Sequence, residues 1–321
     1  MTRARGRERG REMNVTRRDL LKIGTLGGAG VAVGGAIGSS AQEEVPTPPR
    51  NAVGMLYDST KCIGCKSCVV ACADANGLQP DTRVDSLHQA PNDLNSFTKN
   101  IIKLYKPKYG DGATFAFVKR QCMHCVDPFC VAACPFHALE KDKVTGVVSW
   151  TPDKCIGCRY CQLACPYQIP KFDWDSFNAK IVKCEFCKER LAAGKEPACT
   201  YVCPPKAVIF GRRDLLLREA HRRIQEHPDK YFENRVYGER EAGGTQVLYL
   251  SAVNFDLLGL PHLSSTEHPS NWLRWEERVL KFFALPVGIY VGMVTFLKQN
   301  FREHEAEMDE EHKKTGLMPQ L

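Results

Sequence analysis

The sequence has no cysteine before Cys62 and none in its last 118 residues. It has no phosphate-binding glycine loop and no pairing of a nucleophile with a general base. A self-contained catalytic site therefore finds no support in it. One-sided charge is scarce too. The formal net charge is +7, but residues 1–41 hold Arg3, Arg5, Arg7, Arg9, Arg11, Arg17, Arg18 and Lys22 against Glu8, Glu12 and Asp19. Beyond Ala41, 36 basic residues face 34 acidic ones. So small an excess excludes a phosphate-neutralising footprint, and nucleic-acid binding with it. With 43% hydrophobic and 25% charged residues, disorder is not the default either. A length of 321 residues admits one large or two ordinary domains with tails.

What is present in unusual number is cysteine: sixteen, all between 62 and 203, in four sets of four. The first set is Cys62-x2-Cys65-x2-Cys68-x3-Cys72. The third repeats it as Cys155-x2-Cys158-x2-Cys161-x3-Cys165, followed by Pro166. The second opens one gap, Cys122-x2-Cys125-x4-Cys130-x3-Cys134, then Pro135. The fourth opens it further, Cys184-x2-Cys187-x11-Cys199-x3-Cys203, then Pro204. A C-x2-C-x2-C-x3-C-P run is the bacterial ferredoxin spacing, whose fourth cysteine serves the other cluster of a pair. Three thiolates on a tight loop can each take one iron corner of a cubane, and the fourth starts a helix toward the neighbouring cluster. All sixteen cysteines are thus candidate ligands, and four [4Fe–4S] clusters the expected cofactors. Ala73 stands where the other motifs have proline, which alters local geometry but removes no ligand.

Three other uses of these cysteines have to be weighed. Disulfides suit exported proteins, but repeated C-x2-C pairs sit in loops shaped for metal, and a chain this long does not need eight bridges for its core. Zinc takes C-x2-C pairs a dozen or more residues apart, and only the fourth motif looks like that. A redox dithiol comes as a single C-x2-C. His124 and His137 adjoin ligands, yet cysteine fills every ligand place. Trp150, Trp174, Trp272 and Trp275 read as core or membrane-interface residues.

Both ends point to a membrane. Thr16-Arg17-Arg18-Asp19-Leu20-Leu21-Lys22 resembles the twin-arginine export motif; a weakly apolar stretch, Ile23 to Gly38, and the cleavage-compatible Ser39-Ser40-Ala41 follow. Residues 1–41 are therefore expected to be a signal peptide. Residues 42–53 follow as a proline-rich linker, then a working domain over 54–260 and a second linker over 261–278. A single transmembrane helix is expected over 279–298, around the sixteen uncharged residues Phe282 to Leu297, with an acidic cytoplasmic tail over 299–321. Sixteen residues fall short of the roughly 20 of a spanning helix, and snorkelling of Lys281 and Lys298 would close the gap. The globular part is then periplasmic, anchored at the cytoplasmic membrane.

The expected fold is α+β: two ferredoxin-like cores in tandem with insertions, motif one paired with four and two with three, plus the C-terminal helix. Strand-like stretches lie at Val147–Trp150, Ile181–Val182 and Val208–Phe210. Residues 73–120 read as a partner-facing insertion with turns at Tyr109–Gly112. Asp214 to Glu226 reads as a solvated amphipathic helix ended by Pro228.

The phrases Gly54-Met55-Leu56-Tyr57-Asp58-Ser59-Thr60, Lys119-Arg120-Gln121-Cys122-Met123-His124-Cys125-Val126-Asp127-Pro128, Gly157-Cys158-Arg159-Tyr160-Cys161 and Gly243-Gly244-Thr245-Gln246-Val247-Leu248 carry a family resemblance. The chain resembles the four-cluster iron–sulfur subunits of membrane oxidoreductases, in particular those of the periplasmic hydrogenase-2 type. The resemblance implies a relay with no catalytic site of its own. Electrons would come from a nickel–iron hydrogenase dimer of small and large subunits and go to an integral membrane subunit that reduces quinone. A molybdopterin partner (formate, polysulfide or DMSO type) is the alternative, since those subunits share the motifs. By matching position, the resemblance assigns Cys62, Cys65, Cys68 and Cys203 to one cluster, and Cys184, Cys187, Cys199 and Cys72 to the next. Cys122, Cys125, Cys130 and Cys165 would hold a third, and Cys155, Cys158, Cys161 and Cys134 the fourth.

Overall fold

A computed structural model describes residues 47–79, 91–106, 115–174, 181–266 and 269–315. The expected signal peptide and the Tyr109–Gly112 turns lie outside these residues. In chain order the elements are β1 (Val53–Asp58), α1 (Ser67–Ala75), β2 (Asn100–Tyr105), β3 (Ala116–Gln121), α2 (Phe129–Ala132), β4 (Leu139–Lys141), β5 (Val148–Trp150) and α3 (Tyr160–Ala164). They continue as β6 (Lys171–Phe172), β7 (Ile181–Val182), α4 (Lys188–Ala192), α5 (Ala198–Tyr201), β8 (Val208–Arg212), α6 (Arg213–Glu226), β9 (Val247–Leu250) and α7 (Pro269–Thr315).

Residues 45–276 form one unit. Its central strand is β1, whose Met55, Leu56, Tyr57 and Asp58 are all buried. A strand covered on both faces needs a continuous apolar run, and this one is closed by antiparallel β8 (Met55 opposite Phe210) and parallel β9 (Met55 opposite Val247). α6 packs behind the sheet, with Leu216, Ala220 and Ile224 against Leu56, Leu248 and Leu250. The helix is thus amphipathic as expected, but its Arg213 and Arg223 are buried beside its apolar residues. Arg223 Nη1 reaches the fully buried Asp58 Oδ2 at 3.1 Å, and Tyr231 donates to the same oxygen at 3.1 Å.

The short helices pair as the two-core expectation requires. α1, which carries the last two cysteines of motif one, packs on α5, inside motif four; α2, inside motif two, packs on α3, inside motif three. Small antiparallel ladders complete the second core, with Leu139 opposite Trp150 and Lys171 opposite Val182.

The insertion expected over 73–120 is different in kind. Its described second half is an antiparallel hairpin, β2 with β3, in which Asn100, Ile101, Ile102, Ala116, Phe117, Val118, Lys119 and Gln121 are buried. Three of these are polar: Asn100, Lys119 and Gln121. They are hidden here because each has a partner inside, as Asn100 Nδ2 has in the Cys68 carbonyl at 3.3 Å.

The second unit includes residues 277–321, whose described part belongs to α7. The expected transmembrane helix falls on α7. Among the described residues, however, no helix is long and apolar enough to cross a membrane. The reason is length: sixteen helical residues rise ~24 Å against a hydrocarbon core of about 30 Å. Charged residues flank the run, and α7 continues into Arg302 and Glu303.

Candidate metal centre

The four motifs bend at the same step. The second residue after each leading cysteine has positive φ: Gly64 (69°), His124 (47°), Gly157 (73°) and Phe186 (51°). Left-handed backbone costs a non-glycine residue of the order of 1–2 kcal/mol, so its recurrence at two bulky residues marks a turn imposed by purpose rather than by composition. Gly64 is required for a second reason. A Cβ there would stand 2.3 Å from the Phe117 ring. Lys66 and Arg159, also left-handed, then launch α1 and α3. Past the last cysteine of three motifs a further left-handed residue closes a tight turn. His137, Lys206 and Gln168 donate their N–H to the carbonyls of Cys134, Cys203 and Cys165 at 3.2, 3.2 and 2.9 Å. Motif one departs here, as Ala73 predicts: without proline, α1 runs on to Ala75, and Asn76 Nδ2 donates to the Cys72 carbonyl at 2.7 Å.

Consecutive turns of this kind aim backbone N–H groups inward and make concavities for negative charge. Ala138 N–H donates to Cys134 Sγ at 3.2 Å and Phe186 N–H to Cys184 Sγ at 3.4 Å.

The cysteines gather across motifs. One cavity is lined by Cys62, Cys65, Cys68 and Cys203. A second is lined by Cys134, Cys155, Cys158 and Cys161, and a third by Cys122, Cys125, Cys130 and Cys165. The remaining four are neighbours: Cys199 and Cys187 act on Cys72, and Cys72 and Cys199 act on Cys184. In every group three thiols come from one motif and the fourth from its partner. Among the described residues no three His, Cys, Asp or Glu side chains converge as one metal ion would require. The thiols instead surround a space.

These thiols sit badly as free groups. Burial, and then the repulsion of neighbouring cysteines, pushes Cys161 up to about 12 and Cys130, Cys125 and Cys184 upward as well. Burial likewise lifts Cys68 to about 12 and Cys72 to about 11, with Lys119 partly opposing it. Four thiolates can share such a cavity only around positive charge. The donor set, the inward N–H groups and the open space all fit a cubane iron–sulfur cluster in each group.

Neighbouring groups form a row. Cys68 of the Cys62 group feels Cys199; Cys184 feels Cys122; Cys130 feels Cys161. The order is therefore the Cys62 group, the Cys184 group, the Cys122 group, the Cys155 group. Only Cys65 and Cys158 are exposed, one in each terminal group. Exposed apolar side chains surround them: Ile63 at one end, and Ile156, Tyr160, Leu163 and Trp174 at the other. Trp174 is no core residue; the Arg159 guanidinium stacks 3.7 Å over its ring.

Sequence reading missed the buried cations. Lys119 is completely enclosed and Lys183 nearly so. Lys183 donates to the carbonyls of Val148 and Cys184, and lines the Cys122 cavity. Lys141 Nζ donates to the Cys125 carbonyl at 2.9 Å, and burial lowers it to about 8. The signal for Lys119 was a charged residue directly after the apolar Ala116-Phe117-Val118 of β3. His124 is buried, stacked 3.9 Å from the Phe186 ring, and accepts the Val148 N–H on Nδ1 at 3.0 Å. Burial and the nearby lysines hold it well below the usual imidazole range.

The 4Fe-4S dicluster domain matches twice, over residues 61–138 and 113–213. The chain is 34% identical over 328 aligned positions to the hydrogenase-2 operon protein HybA of Escherichia coli O157:H7, covering 93% of this chain and 99% of that one. A protein of Nitratidesulfovibrio vulgaris Hildenborough is 39% identical over 251 positions, covering 76% and 66%. The formate dehydrogenase-O iron-sulfur subunit of Escherichia coli K12 is 34% identical over 201 positions, covering 62% and 66%.

Proposed function

Because this chain belongs to the iron–sulfur protein family of the hydrogenase-2 operon protein HybA, we propose that it is the electron-transfer subunit of a hydrogenase complex. It would take electrons from a nickel–iron dimer and pass them to a quinone-reactive integral membrane subunit. One observation carries this reading: four four-thiol groups that neighbour one another in a row, with a surface-exposed cysteine in each terminal group and none in between.

The residues that would hold one [4Fe–4S] cluster each are Cys62, Cys65, Cys68 and Cys203; Cys72, Cys184, Cys187 and Cys199; Cys122, Cys125, Cys130 and Cys165; and Cys134, Cys155, Cys158 and Cys161. When bound, such clusters supply one-electron transfer at potentials set by hydrogen bonds, burial and local charge. The chain's own part is to fix the thiols, exclude water from the two inner groups and leave the end groups open to partners. The apolar collars at Ile63 and at Ile156, Tyr160 and Leu163 suit such docking.

The chain would act on the periplasmic side of the cytoplasmic membrane, exported through Arg17-Arg18. In α7 the residues Val287, Ile289, Tyr290, Val291, Met293, Val294, Phe296 and Leu297 are exposed on all sides of the helix. An all-round apolar helix belongs in lipid or within a partner, so this segment is the membrane anchor of the proposal. Lys298 would reach to the interface at one end of this short span.

The same wire serving a molybdopterin enzyme is the second reading, since a formate dehydrogenase subunit shares the cluster region. The near end-to-end match with HybA favours the first. A mild-detergent pull-down of the tagged chain from membranes, with nickel and molybdenum counted, tests this. Nickel with a hydrogenase dimer and a multi-span membrane protein supports the proposal, and molybdenum with a pterin enzyme overturns it in favour of the second.

A further inference from the structure

Alternate residues of a strand share a face, so Phe117, Lys119 and Gln121 of β3 line up. Phe117 covers the Cys62–Cys65 loop, meeting the open position at Gly64. Lys119 lines the Cys62 cavity. Its ammonium also acts on Cys72, Cys184 and Cys199 of the next group, so it stands between the two groups of the first core.

The surroundings hold the ammonium there firmly. Lys119 Nζ donates to Gln121 Oε1. Gln121 Nε2 is tied in turn to Met55 Sδ at 3.3 Å, and the Lys119 carbonyl accepts the Tyr249 hydroxyl at 2.6 Å. Its nearest partner is therefore neutral. Among the described residues no carboxylate pairs with Lys119, and the charges that face it are Cys68, Cys72, Cys184 and Cys199. An ammonium with none of its surface in water requires a compensating anion. A thiolate-ligated iron–sulfur cluster is negative overall, and one on each side supplies that anion.

We propose that Lys119 is a positioning residue for electron transfer, whose fixed positive charge raises the reduction potentials of the two clusters of the first core and keeps them matched to each other. The inference rests on the four-cluster reading above. Reduction adds one electron, and one negative charge, to a cluster; a cation enclosed beside it in a poorly screened interior stabilises the reduced form more than the oxidised one. The Cys155 group is a built-in control, because none of Cys134, Cys155, Cys158 and Cys161 is among the charges that act most on Lys119, nor Lys119 among those that act most on Cys161.

The experiment is an EPR-monitored redox titration of the purified complex, with iron content, for wild type, Lys119→Met and Lys119→Arg. The expected result for Lys119→Met is full iron and two of the four clusters reduced at least tenfold less readily, about 59 mV lower for a one-electron couple. The other two stay in place, and Lys119→Arg stays near wild type. Full iron with all four potentials unchanged, or all four moved alike, overturns the proposal. If Lys119→Met loses iron, the arginine variant decides. Iron retained with arginine supports a requirement for charge; iron lost with arginine as well makes the role one of shape and overturns the proposal. A wild-type complex without four cluster signals fails the four-cluster reading itself, a different outcome from unmoved potentials.

Discussion

Cys122 and Cys184 lie in different motifs and different thiol groups, yet Cys122 is near enough to Cys184 to help push its thiol upward. That proximity joins the two ferredoxin cores. The Cys62 and Cys184 groups belong to one core and the Cys122 and Cys155 groups to the other, so the row is continuous only if it crosses here. His124 and Phe186, stacked at 3.9 Å, fill the same junction.

A break at the end of the row should silence the whole of it. Cys158→Ser removes one ligand from an exposed terminal group. Iron should fall by about four per chain, the content of one cubane, and hydrogen-driven reduction of a quinone analogue should stop. Undiminished quinone reduction in that variant counts strongly against a relay.

Gly64→Ala is expected to cost about 1–3 kcal/mol, because its Cβ meets the Phe117 ring at 2.3 Å in left-handed backbone. Gly77→Ala shares the positive φ, 62°, but has nothing within 4 Å. It should cost about 1 kcal/mol and leave cluster content intact. Denaturant unfolding with iron content separates the two; equal effects would show that only backbone conformation matters at Gly64.

Arg223→Met leaves Asp58 buried with Tyr231 and Thr60 as its remaining side-chain partners. Stranding a buried carboxylate costs about 3–5 kcal/mol. Adding Asp58→Asn should recover part of that loss, so the double variant is expected to unfold at higher denaturant than Arg223→Met alone. A double variant no more stable than the single would remove the pair from the account.

The pH dependence of α6 follows from Glu219. Hydrogen bonds from Arg222 and Arg223 hold its carboxyl at about 2, below its ordinary 4.5. A carboxyl lowered on folding stabilises above its unfolded pKa, and the contribution is lost as pH falls from about 4.5 toward 2. Glu219 is partly open to solvent and its arginine partners are screened there, so the effect is at most about 1 kcal/mol. Wild type should exceed Glu219→Gln by that margin at pH 7, and the gap should narrow below about pH 4.5. Comparing the two proteins cancels any acid lability of the clusters that they share. A gap that widens on acidification would reverse the sign and refute the assignment.

The cysteine spacing made sharing of ligands between motifs legible, because the fourth cysteine of such a run serves the other cluster of a pair; which cysteines share a group came from the family resemblance. Ala73 for proline likewise foretold an altered exit, seen in α1 running on. The hairpin β2–β3 was not legible. Lys119, Gln121 and Asn100 look like surface residues in one dimension, and their partners lie far along the chain or across a strand. Lys183 and Lys141 escaped notice for the same reason: a lysine satisfied by carbonyls carries no sequence signature. The C-terminal helix was visible as an apolar run, but the run is only sixteen residues long, and the helix around it is charged.

The central claim is that each four-thiol group holds a [4Fe–4S] cluster. Iron, acid-labile sulfide and Mössbauer spectra of the anaerobically purified chain test it most directly. The account predicts about sixteen iron and as many sulfide per chain, all in cubane clusters. Stoichiometric zinc, or cysteines found paired as disulfides with little iron, would contradict it.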